Sequence, residues 1–214
     1  FLLMRDFGPV FLVGDEPMDF TASAAELARP RNTWEECVNY VVSEMEWCAA
    51  RLTDSYNSSY MGLPTRGAAL AVISRLKLYS ARPLFNGNSL YRRVLNPDGT
   101  PLFPESADPQ KWVAAAKAAK AVIDMGVYSL YRSSDNNPYM NYYGIMQEEW
   151  NKEIIFCGGG YQSRYTLGVH TAPGLGVGGT AYGGWGPTQQ QVDAYAMSNG
   201  RYPVTGYESD GSPI

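Results

Sequence analysis

Residues 65–82, TRGAALAVISRLKLYSAR, place apolar side chains round most of the circumference of a helix. Ala68, Ala69, Leu70, Ala71, Val72, Ile73, Leu76, Leu78 and Tyr79 leave no broad polar face. A surface helix carries one apolar stripe, whereas a helix apolar all round is covered on more than one side. The rest of the chain must therefore supply at least two neighbours for this segment. Pro83 cannot continue the helix and ends it.

Candidate neighbours lie on both sides in sequence. Residues 33–52 open on Thr33-Trp-Glu-Glu36, a capping box whose hydroxyl and carboxylate satisfy orphan amides at a helix start. Val38, Val41, Val42, Met45, Ala49 and Leu52 follow at helical spacing. Trp47 falls nearly opposite that stripe and must be exposed or packed on a second neighbour. Further on, Asp108 is positioned to cap a third helix with Pro109 at its first turn. Its expected buried stripe is Trp112, Ala115, Ala116, Ala119, Val122 and Ile123, with Lys111, Lys117 and Lys120 wet and Gly126 as the terminating C′ glycine.

Smaller features complete the frame. Residues 1–7 read as the tail of an amphipathic helix, and residues 139–149 as a fourth, aromatic helix. Residues 153–157, EIIFC, read as a short extended element. Asn96-Pro-Asp-Gly-Thr-Pro101 is turn chemistry within an insertion. Antiparallel helix pairs with small residues at close approaches indicate a mostly α, helical-repeat scaffold. The helix starts near 33 and 108 do not keep the roughly 34-residue period of a regular array, so the pattern is tetratricopeptide-like with a large insertion.

The chain has 214 residues, 45% hydrophobic, enough for one sizeable core or two small ones. A net charge of −4 argues against nucleic-acid binding, which needs a surplus of Lys and Arg to neutralise phosphates. No run approaches the roughly 20 apolar residues of a membrane span. Phe1 and the C-terminal Gly-Ser-Pro-Ile214 give the chain the look of a piece cut from something longer, with any signal peptide or lipid anchor upstream. Cys37, Cys48 and Cys157 form no metal spacing. The first two stand about 16 Å apart on one helix at roughly 1.5 Å rise per residue, too far for a disulfide. All three read as small buried hydrophobes.

Residues 158–187 hold 11 of the chain's 22 glycines, with Tyr161, Tyr165, Tyr182 and Trp185 among them. Gly174, Gly176 and Gly179 spell a G-x-G-x-x-G, but a dinucleotide fingerprint needs a strand before it and a helix opening directly upon it. Here Pro173 precedes the glycines, and no helix begins until Thr188-Gln-Gln-Gln191, a second capping box. His170, the only histidine, has no nucleophile or orienting partner in a recognisable motif. Glu148, Glu149, Glu153 and Asp193 could serve a glycosidase only if two of them faced each other across a cleft. No calcium or zinc constellation is present, and no cofactor is called for.

Six stretches in one order resemble the SusD/RagB family, the surface glycan-binding lipoproteins of gut and oral Bacteroidetes. They are Met4-Arg-Asp-Phe-Gly-Pro9; Trp34-Glu-Glu-Cys-Val38; residues 65–70, TRGAAL, through residues 78–87, LYSARPLFNG; residues 112–128; Glu153-Ile-Ile-Phe156; and residues 187–200, opening PTQQQVDAYAM. The resemblance covers nearly the whole chain and implies one incomplete SusD-like domain over residues 1–214. Residues 1–157 would form its helical scaffold and residues 158–214 the start of its irregular, glycan-binding part.

Membership of this family implies no catalysis. It implies capture of an oligosaccharide or polysaccharide at the outer surface of the outer membrane, by a lipid-anchored protein that delivers it to a TonB-dependent, SusC-like transporter. Sugars present apolar C–H faces and rings of hydroxyls, which flat aromatics with nearby amides suit. Trp185, Tyr182, Tyr161 and Tyr165 are the candidate glycan contacts, although the same side chains could pin the loop to the scaffold. Two other functions compete: a tetratricopeptide-type scaffold that binds peptides, and a glycoside hydrolase.

Overall fold

The structure is a computed structural model that describes residues 1–15, 17–145, 147–148, 150–157 and 184–214. The chain divides into two compact units, Phe1–Cys157 and Gly158–Ile214. Among the described residues the secondary structure is helical, with two isolated β-bridges and no strand.

Among the described residues the first unit contains six α-helices: α1 (Leu2–Phe7), α2 (Ala24–Leu27), α3 (Trp34–Ala49), α4 (Arg66–Ala81), α5 (Gln110–Asp124) and α6 (Pro138–Gly144). The capping box of α3 forms as the sequence implies. Thr33 Oγ accepts from the Glu36 amide, and the Glu36 carboxylate accepts from the Thr33 amide at 2.7 Å. Thr65 caps α4 in the same hydroxyl-to-amide manner. Arg82 then turns extended, as a residue preceding proline must.

Helix α4 packs against both α3 and α5, which is the sandwich its all-round apolarity demands. Leu76 is fully buried, with Ile73 and Ala69 nearly so, while Leu78 turns outward. The core beneath is aromatic. Met4, Trp34, Cys37, Val38, Leu76, Phe85, Leu102 and Phe103 form one buried cluster. The Trp34 indole donates to Ser80 Oγ at 2.9 Å, so its polar edge is satisfied where its rings are dry. The insertion reaches this core through the Trp34 amide, which donates to the Leu102 carbonyl at 2.8 Å. It is tied to the end of α4 by Asn86, which exchanges two hydrogen bonds of 2.9 Å with the Asp108 backbone.

Several expectations need correction. Of the stripe expected to be buried on α5, Trp112, Ala116, Ala119 and Ile123 are exposed, Ile123 by 74%, and Ala115 is the helix's one buried residue. The covered side runs along Lys111, Ala114, Ala115, Ala118 and Val122. Close helix approach favours alanine over tryptophan. Lys111 lays its stem along that side with its ammonium on the Glu35 carboxylate. Helix α5 begins one residue later than expected, and Asp108 Oδ1 accepts from the Gln110 amide at 2.8 Å just outside it. Gly126 follows the helix with φ +66°, the left-handed conformation expected of a C′ glycine. The fourth helix, α6, stops at Gly144.

Residues 153–157 pair with no strand. Their backbone is held locally instead, the Glu153 amide donating to Asn151 Oδ1 at 3.0 Å. Cys37 alone of the cysteines is buried; Cys48 is half-buried and Cys157 exposed. Burial pushes the Cys37 thiol pKa up, and its sulfur lies 3.3 Å from the Val10 carbonyl. Trp47 is 58% exposed, with the Arg51 guanidinium 3.9 Å above its ring.

In the second unit the described residues hold α7 (Gln189–Asp193), whose N-cap Thr188 accepts from the Gln191 amide at 3.4 Å. The chain then closes on itself, the Thr205 amide donating to the Ile214 carbonyl and the Ile214 amide to Gly206, both at 2.9 Å. Asp193 accepts from the Tyr207 hydroxyl, a bond that raises the Tyr207 pKa.

Candidate functional site

Of the four aromatics that the sequence nominates, Trp185 is described; Tyr161, Tyr165 and Tyr182 lie outside the described residues, as do His170 and Glu149. Trp185 is 54% exposed between Gly184 and Gly186, where an added Cβ would meet nothing within 4 Å. The two glycines thus add no side chain beside the indole. Pro187 and the Thr188 cap set the chain direction beyond it.

Within the first unit, three stretches distant in sequence enclose a cleft of about 700 Å³. They are the loop before α4, the segment after α5, and Glu148 with residues 150–156. Gly126 reverses the chain at the end of α5 and so places Tyr128 against the start of α4. The Tyr128 hydroxyl is 3.2 Å from Thr65 Oγ1. Its ring occupies the space over Gly67, where any Cβ would collide with it. Three residues on, Tyr131 is held from both ends. Its amide donates to the Glu153 carboxylate at 2.7 Å, and its hydroxyl donates to Glu148. That second bond raises the Tyr131 pKa.

The opposite wall is equally fixed. Trp150 packs on Gly62, whose missing Cβ would touch the indole at 3.5 Å. Asn151 donates to the Ile145 carbonyl at 3.0 Å, and the Ser129 amide joins the two segments by donating to the Lys152 carbonyl at 3.0 Å. At the mouth, Asp54 pairs with Arg66 at 3.2 Å. Aromatic faces, amides and paired charges are the means of binding a ligand that is partly apolar and partly hydroxylated.

Glu148 and Glu153, two of the carboxylates considered for hydrolysis, are both engaged by Tyr131. Asp193, a third, is engaged by Tyr207 and Gln189 in the other unit. Among the described residues no three His, Cys, Asp or Glu gather as a metal site. No described helix is long and apolar enough to cross a membrane.

No family model and no curated protein matches the sequence. Solved structures do match. BT4246 superposes with a TM-score of 0.71 at 23% identity, covering 98% of this chain and 41% of its own. Selenomethionine BT4246 gives 0.67 at 22%, covering 97% and 43%. A SusD-like protein, BF3747, from Bacteroides fragilis NCTC 9343 gives 0.66 at 23%, covering 97% and 34%.

The chain has a SusD-like fold. The SusD-like match runs through the α3–α4–α5 scaffold and extends over nearly all of the chain. At such identities the likeness is one of fold, and a fold hosts functions through the sites grafted on it. The chain spans between 34% and 43% of the length of these matched structures.

The cleft had no motif to announce it in the sequence. The loop before α4 stands about 70 to 100 positions from the other two stretches, and no spacing in the sequence links them. The one signal was negative: Gly62 and Gly67 sit where a side chain is absent beside a structured segment, as a close approach requires.

Proposed function

We propose that the protein binds oligosaccharide or polysaccharide at the bacterial cell surface, without transforming it, and delivers it to a TonB-dependent, SusC-like outer-membrane transporter. The observation that carries this reading is the match to the SusD-like protein BF3747 over 97% of the chain at a TM-score of 0.66. The order of sequence motifs and the aromatic-lined cleft support it. The full-length protein would carry a lipid anchor and sit on the outer face of the outer membrane. Trp185, Tyr182, Tyr161 and Tyr165 remain the proposed glycan platforms of the glycine-rich part.

A second reading, a peptide-binding scaffold, draws on an apolar groove of about 520 Å³ along α3 and α4, lined by Met45, Cys48, Leu52, Ala68 and Val72. Helical repeats bind peptides on such surfaces. Affinity electrophoresis through gels containing soluble polysaccharides separates the two. Retardation in at least one glycan gel supports carbohydrate capture, and uniform mobility in all of them, with peptide binding instead, supports the scaffold.

A further inference from the structure

Resting on the carbohydrate reading, we infer that the cleft walled by Tyr128, Tyr131 and Trp150 is itself a saccharide site, and that it takes an uncharged stretch of the ligand. Its volume, about 700 Å³, falls within the roughly 300–1,000 Å³ of small-molecule sites. Among the described residues, those that line the cleft all lie within Phe1–Cys157.

Charge decides the ligand class. The lining carries two carboxylates, Asp54 and Glu148, and two cations, Arg132 and Lys152. Asp54 is matched by Arg66, Glu148 accepts from Tyr131, and Arg132 donates to Asn136 Oδ1 at 3.3 Å. With Glu153 on the Tyr131 amide and Arg66 on Asp54, three carboxylates stand against three cations, so no net sign draws in a charged ligand. A charged sugar entering the cleft would meet like charges as well as opposite ones, and would shed its hydration with no net opposite charge in return. A neutral sugar brings no charge to desolvate. Its hydroxyls find the amide of Asn151 and the phenols, while its C–H faces find the aromatic rings and the exposed Leu63 and Leu130 at the rim.

The test is calorimetric titration of the full-length protein with neutral and uronate-bearing oligosaccharides of matched length, at low and high salt. Leu63→Glu and Leu130→Glu serve as variants, since both positions are exposed and line the cleft. Neutral ligands should bind with little salt dependence, and each variant should weaken them by about tenfold or more with an unchanged melting temperature. Variants that bind as the wild type does, while Trp185→Ala abolishes binding, would overturn the cleft assignment and leave the carbohydrate reading standing. Tighter, steeply salt-dependent binding of the uronate series would overturn the uncharged-ligand assignment. A large loss of melting temperature in both variants would mean that the protein's own chain fills the cleft, which also overturns it. No binding of any saccharide by the wild type would end the carbohydrate reading and this inference together.

Discussion

The Trp34 indole lies on the Phe85 ring, centroids 4.1 Å apart and planes 7° from parallel. This contact joins the first turn of α3 to the chain just beyond α4, and Phe103 from the insertion closes the same cluster. Trp34→Ala would remove the largest side chain in the core and leave the Ser80 hydroxyl without its donor. Aromatic-to-alanine changes of this kind cost about 3–5 kcal/mol. We expect a urea midpoint lowered accordingly. A midpoint near that of the wild type would mean that this cluster does not hold the scaffold together.

Leu76 tests the sandwich. Its side chain has no exposure, so Leu76→Ala should cost about 2–5 kcal/mol through lost burial and the cavity left behind. Leu76→Asp should abolish cooperative unfolding, because a carboxylate there has no partner. A thermal melt of Leu76→Asp that stays cooperative within about a degree of wild type would contradict the placement of α4 between α3 and α5.

Gly67 and Tyr128 should be energetically coupled. A methyl at position 67 would displace the Tyr128 ring and break its bond to Thr65, at a cost of about 1–3 kcal/mol. In a Tyr128→Ala background the space is free, so Gly67→Ala should cost little or nothing there. A double-mutant cycle reads the difference directly, and strict additivity would show that the ring does not occupy the space over Gly67.

Acid sensitivity should report the α3 cap. Hydrogen bonds from Thr33, its backbone amide first, hold the Glu36 carboxyl below its ordinary value of 4.5. With the folded-state pKa depressed, the contribution to stability is fully present above about pH 4.5 and is lost as pH falls through the folded value. Glu36→Gln keeps a capping partner at the same position but removes the titration. Its melting temperature should therefore fall less than the wild type's between about pH 6 and pH 3. Equal losses would show that the carboxylate is not bound to the cap in solution.

The features that the sequence foretold are those governed by local chemistry. Thr33 with Glu36, Pro83 and Gly126 each act on backbone within a turn of themselves, so their effect is readable without knowing the neighbours. Leu76 was legible for a different reason: a helix apolar all round buries its middle whichever way it faces. Helix α5 was not legible in this way. Its alanines give every register an apolar stripe, and the choice fell to α4, whose packing admits Ala115 and Ala118 and leaves Trp112 and Ile123 outside. Residues 153–157 have strand composition but no strand beside them, and composition cannot supply a partner. The cleft depends on Tyr128, Tyr131 and Trp150 meeting residues 54–65, a relation set by the path of the chain between them and not by any spacing.

The central claim, capture of a glycan without hydrolysis, is tested most directly by titrating full-length wild type and Trp185→Ala with neutral oligosaccharides while assaying for new reducing ends. The account predicts binding by the wild type with no release of reducing ends. It predicts affinity weakened by about 1–2 kcal/mol in Trp185→Ala, the scale of one aromatic contact, with melting temperature nearly unchanged, because the indole is 54% exposed. An unaltered affinity with a large fall in melting temperature would make Trp185 an anchor of its loop. Release of reducing ends, or failure of the wild type to bind any glycan offered, would contradict the account.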